Sequence, residues 1–120
     1  MDNVGILSND CTSITFNNNF NEIIKPNTLP ENLTNLAFEI DFNWTIEPNT
    51  LPKNLTYLKF GCEFNQKIEP TILPDSITTL TFDYHFNQKI EPNTLSESLT
   101  TLVFGSKCNQ KIEPNSLPNS

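Results

Sequence analysis

The residues of this 120-residue chain best suited to chemistry are one histidine, three cysteines and a group of carboxylates. A catalytic or metal-binding role for His85 needs a positioned nucleophile or a second ligand, and the chain has no other histidine. Cys11, Cys62 and Cys108 are odd in number and lack a CxxC spacing, which argues against a disulfide framework or a zinc site. Glu39, Asp41, Glu63 and Asp83 follow no calcium-loop spacing and read as a solvated acidic edge. The three glycines are isolated, so no phosphate-binding loop is present. These residues assign no catalytic group, cofactor or metal; His85 reads as a surface turn residue.

What positions them is a repeat. Leu51 to Ile72, LPKNLTYLKFGCEFNQKIEPTI, recurs as LPDSITTLTFDYHFNQKIEPNT after it and LPENLTNLAFEIDFNWTIEPNT before it. Phe16, Phe38, Phe60, Phe82 and Phe104 stand 22 residues apart, and so do Ile24, Ile46, Ile68, Ile90 and Ile112. A fixed period of this size marks a repeat architecture in which each unit packs on the next. The frame starts at residue 7 and defines coils 7–28, 29–50, 51–72, 73–94 and 95–116, with 117–120 opening a further repeat; the whole, 1–120, is one domain.

The unit L-P-x-N/S-L-T-x-L-x-F-x-x-x-F-N-Q-K-I-E-P-N-T resembles the FNIP repeat family of social amoebae and giant DNA viruses. The resemblance implies an interaction module related to leucine-rich repeats. In viral members such repeats often follow an F-box, which implies substrate recognition for a ubiquitin ligase; nothing resembling an F-box precedes the repeats here.

Within each unit, Leu33-x-x-Leu36-x-Phe38 has the spacing of a leucine-rich-repeat strand. Period-2 alternation turns Leu36 and Phe38 inward and Asn35 and Ala37 outward. Asn17, Glu39, Gly61, Asp83 and Gly105 follow the strands; apart from Glu39 they are types that tolerate a left-handed turn. The recurring prolines of QKIEPNTLP forbid a full helix on the return path, so extended chain or 3₁₀ turns are expected there. The predicted fold is therefore a β-solenoid: a leucine-rich-repeat-like, right-handed coil of about five 22-residue repeats with one parallel sheet and little or no α-helix. Six apolar columns, led by Leu29, Leu33, Leu36, Phe38, Phe42 and Ile46, form its core. Cys11 and Cys108 fall in two of those columns and read as core residues, whereas Cys62 lies in a variable slot. Asn21, Asn43, Asn65, Asn87 and Asn109 are expected as a buried ladder bonded to turn backbone, and Thr12, Thr34, Thr56, Thr78 and Thr100 as a hydroxyl ladder on the strands. Lys67, Lys89 and Lys111 offset a column of glutamates across coils.

A formal charge of −7 opposes binding to phosphate backbones, so no nucleic-acid partner is expected. No apolar run is long enough to span a bilayer, and the first residues lack a signal-peptide pattern, so neither a membrane partner nor secretion is expected. The expected location is the cytoplasm, that of the host if the chain is viral.

The function read from these features is non-enzymatic capture of a protein partner on the outward face of the sheet. The candidate residues are Asn35, Ala37, Tyr57, Lys59, Thr79, Thr81, Thr101 and Val103, rimmed by Glu39, Asp83, Tyr84 and His85. A second reading is a structural protein that forms homo-oligomers through its terminal coils, whose apolar columns would be half-exposed. A third and weaker one is ice or polysaccharide binding by the threonine ladder.

Overall fold

Residues 11–105 are described by the structure, a computed structural model. Five short strands appear in chain order: β1 Ser13–Phe16, β2 Asn35–Phe38, β3 Tyr57–Lys59, β4 Thr79–Thr81 and β5 Thr101–Val103. They form one parallel sheet in the order β1-β2-β3-β4-β5. The register is that of the repeat: Ile14 pairs with Leu36, Leu36 with Leu58, Leu58 with Leu80 and Leu80 with Leu102. A 22-residue sequence shift has thus become one step along a parallel β-solenoid, and the described residues contain no helix. Cys108, Asn109, Lys111 and Ile112 lie outside the described residues.

The described coils turn at three corners. The first follows the strand, with Phe20 N–H donating to Asn17 O, Phe64 N–H to Gly61 O and Phe86 N–H to Asp83 O. The second is the EPNT corner, where Thr50 N–H reaches Glu47 O and Thr94 N–H reaches Glu91 O. The third precedes the next strand, with Leu33, Leu55 and Ile77 bonded back to Pro30, Pro52 and Pro74.

Left-handed backbone is found at the second corner, not the first. Asn27, Asn49, Thr71 and Asn93 have φ of 66, 68, 82 and 70°. Proline ahead of a positive-φ residue is the demand of a type II turn, and Asn meets it at little steric cost. This overturns the expectation for the residues after the strands. Gly61 and Gly105 are needed for space instead: a Cβ on either would strike the carbonyl of Glu39 or Asp83 in the preceding coil.

The core is a double stack of aromatic rings. Phe16, Phe38, Phe60, Phe82 and Phe104 form one column, with centroids 5.1–5.8 Å apart. Phe20, Phe42, Phe64 and Phe86 form the other at 5.9–6.1 Å. Within one coil the two rings approach to 3.8–4.3 Å. All but Phe104 are buried, as are the predicted leucine and isoleucine columns between Ile24 and Leu99. Burying one such side chain contributes about 1.5–3 kcal/mol, so the columns dominate stability. Cys11 occupies its column only half-buried.

Both polar ladders form, each with a correction. Thr34, Thr56, Thr78 and Thr100 donate their hydroxyls to the carbonyls of Thr12, Thr34, Thr56 and Thr78. They stand one residue ahead of the strands rather than on them, and Thr34 Oγ1 also lies 3.0 Å from Asn35 Oδ1. In the asparagine ladder, Oδ1 of Asn21, Asn43 and Asn65 accepts the N–H of Asn43, Asn65 and Asn87 at 2.9–3.1 Å. It is not buried, because Asn21 and Asn43 are exposed and Asn65 and Asn87 half-buried. Gln66 and Gln88 cover it, each donating Nε2 to the carbonyl and Oδ1 of the preceding coil's asparagine. Of the expected lysine–glutamate pairs, Lys67 Nζ meets Glu91 Oε2 at 3.5 Å, one coil on.

Candidate protein-interaction face

Because strand residues alternate, each strand offers two outward positions, and the parallel register aligns them in rows. Asn35, Tyr57, Thr79 and Thr101 make one row; Ala37, Lys59, Thr81 and Val103 make the other. Asn35, Thr101 and Val103 are exposed, while Ala37, Tyr57, Lys59, Thr79 and Thr81 are half-buried by the neighbouring strands. The face is flat and small-featured except at Tyr57 and Lys59, which stand side by side on the central strand.

Beyond the strand ends lies the first corner, where residues vary from coil to coil. Ile40, Cys62 and Tyr84 form one of its columns, and Asp41, Glu63 and His85 the next. Ile40 and Tyr84 are 42% and 43% exposed. The His85 ring meets Tyr84 edge-on at 4.8 Å. Backbone bonds carry the coils in step here: Glu63 N–H donates to Ile40 O, and His85 N–H to Cys62 O. The imidazole is thereby placed on the preceding coil, with Nδ1 3.0 Å from Cys62 O and 3.7 Å from Cys62 Sγ. Glu63 Oε1 is 3.8 Å from the same nitrogen. Burial pushes the Cys62 thiol pKa up, and the charges of Glu63 and Asp83 add to the shift. His85 is the surface turn residue expected, with its side chain 42% exposed, and it has cysteine and glutamate beside it.

Sequence reasoning also passed over two exposed apolar residues off the sheet strands. Trp44 and Ile23 are 42% and 40% exposed, and Trp44 occupies the column of Gln66 and Gln88. Its Nε1–H donates to Asn21 O at 2.9 Å, the type of bond that Gln66 and Gln88 make to Asn43 O and Asn65 O. The signal was a lone aromatic in a glutamine column.

The FNIP Repeat family model matches residues 3–41, 42–85 and 86–120. The chain belongs to the FNIP repeat family. Each match spans roughly two coils, and Gly61 and Gly105, two coils apart, each close onto an acidic residue of the coil before. A solved giant-virus protein, CroV588, described as a novel circular LRR protein, is similar over 100% of this chain at 48% identity and a TM-score of 0.93. The chain spans 17% of the length of that protein. No curated protein matches. The fold is leucine-rich-repeat-like, a type that is typically non-enzymatic. Among the described residues, no helix is long and apolar enough to cross a membrane.

Proposed function

We propose that this FNIP chain is a non-enzymatic interaction module that captures a protein partner on the outward face of its sheet. The observation that carries this reading is the contrast between the two sides of each strand. Inward slots keep Leu or Ile and then Phe through five coils, whereas outward pairs run Ser13/Thr15, Asn35/Ala37, Tyr57/Lys59, Thr79/Thr81 and Thr101/Val103. Packing accounts for the constancy and has no claim on the variation. Solenoids of this kind present such sheets as extended binding surfaces. Tyr57 supplies apolar area with a hydrogen-bonding tip, and the Lys59 stem extends it. The partner is a protein, with no nucleic acid or membrane involved, met in the cytoplasm. A wider role in substrate recognition beside F-box ubiquitin-ligase adaptors rests on family analogy.

The experiment compares immobilised full chain with its Tyr57→Thr/Lys59→Thr and Trp44→Gln variants in capture from an amoebal lysate. Affinities for the recovered partner are then measured. The double variant should bind about 30-fold more weakly or worse, a loss of about 2 kcal/mol, with an unchanged melting midpoint. Trp44→Gln should bind as the parent does. Unchanged affinity in the double variant moves the site off this face.

A structural reading is favoured by one observation, that the similar giant-virus protein is circular. Coils of this type can then serve chiefly to stack on other coils. Sedimentation at rising concentration separates the readings, because end-to-end stacking requires association in the absence of any partner.

A further inference from the structure

The corner that links the third and fourth coils holds three different donor types within 4.8 Å of one another: the Cys62 thiol, the Glu63 carboxylate and the His85 imidazole. Packing does not explain that grouping. The same two columns hold Ile40 and Asp41 one coil earlier without bringing donors of this kind together. His85 Nδ1 faces three acceptors at once, namely Cys62 O at 3.0 Å, Cys62 Sγ at 3.7 Å and Glu63 Oε1 at 3.8 Å. A single Nδ1 proton can serve one of them.

We propose that Cys62, Glu63 and His85 form a binding site for a divalent cation of the zinc class, with water or a donor from a bound partner as fourth ligand.

The spacing suits that ion. Zinc bonds of 2.0–2.3 Å in a tetrahedron put neighbouring ligand atoms about 3.3–3.8 Å apart. The Sγ–Nδ1 separation of 3.7 Å is close to that of a thiolate–imidazole pair, and the three ligand atoms all lie within 4.8 Å of one another. Nδ1–Oε1 at 3.8 Å is wider than a nitrogen–oxygen edge and must close by about 0.3–0.5 Å, which a rotation of the exposed Glu63 side chain supplies. The donor set is selective as well. Calcium and magnesium seek oxygen ligands alone, whereas thiolate with imidazole and one carboxylate suits zinc and its cobalt substitute.

Two ligands come from one coil and the third from the next, so the ion would tie neighbouring coils together. The frame is already set without it: His85 N–H on Cys62 O fixes the step between coils, and the Tyr84 edge limits the ring. The site borders the proposed interaction face and goes beyond that reading. A cation held by three protein ligands keeps one position open to a partner.

The test uses reduced, metal-free full chain titrated with Co²⁺ and followed by absorbance, then competed with Zn²⁺. The parent should take up one equivalent, with a thiolate-to-cobalt charge-transfer band and the strong ligand-field bands of tetrahedral cobalt. Cys62→Ser should abolish the charge-transfer band, and Glu63→Gln and His85→Asn should each weaken binding about tenfold or more. Zn²⁺ should raise the melting midpoint of the parent and leave that of Cys62→Ser unchanged. Melting without metal should be alike in all four proteins, which shows that the variants fold. The proposal is overturned if the folded parent gives no charge-transfer band. It is equally overturned if the band survives Cys62→Ser, which would assign it to Cys11 or Cys108, or if His85→Asn binds as the parent does.

Discussion

Two corners of each coil do the same geometric job under different rules. Both reverse the chain with a bond between residues three apart, and both repeat every 22 residues. The EPNT corner passes through a left-handed residue, with proline before it in all four described coils. Few residue types satisfy both positions, so the corner is nearly uniform. The corner after the strand has no left-handed residue. Its middle side chains point away from the core and tolerate Ile40, Cys62 and Tyr84 in one column, and Asp41, Glu63 and His85 in the next. Backbone demand fixes sequence where it is high and leaves room for function where it is low.

The sharpest exception inside the permissive corner is Gly61. A methyl group there would strike the Glu39 carbonyl, so the coils must separate to admit it. Gly61→Ala should cost about 2–3 kcal/mol or more, read as a lowered denaturation midpoint. A cost below about 0.5 kcal/mol would show that this corner carries no backbone demand at all.

A matched pair of variants probes the contrast directly. Asn49→Ala places a side chain without local hydrogen bonding at φ 68° and should cost about 1–2 kcal/mol. Tyr84→Ser, in the corner after the strand, should stay within about 0.5 kcal/mol. Equal losses by denaturant titration would erase the distinction between the corners.

The smallest effect is a gain. Thr71 is β-branched at φ 82°, where the other described coils carry asparagine. Thr71→Asn should stabilise the chain by about 1 kcal/mol and raise the midpoint accordingly. A loss would mean that the Thr71 side chain makes up for its strained backbone.

Much of the fold is legible in the amino-acid sequence. Identical spacing of Phe16, Phe38, Phe60 and Phe82 can be satisfied by stacking, because a linear stack puts each copy of a residue beside the next. Strand alternation then separates Leu58 and Phe60 from Tyr57 and Lys59. The candidate face follows from the same alternation, although the half-burial of Tyr57 does not, since it depends on how closely neighbouring strands flank the ring. The asparagine ladder is legible as a set of bonds and not as a depth, because period alone does not say how far a column lies from solvent. A glycine can stand for a left-handed turn or for lack of space, and residue type does not choose between them.

The sequence by itself determined the period, the parallel register, the apolar columns and the proline turns, since each is local or repeats at one fixed interval. The tertiary structure alone decided what meets across that interval with an offset. Cys62 and His85 are 23 residues apart and fall in different columns, so no column-by-column reading pairs them. They meet because each coil is laid down one β-spacing from the last, and the His85 imidazole reaches back across that gap to the preceding coil.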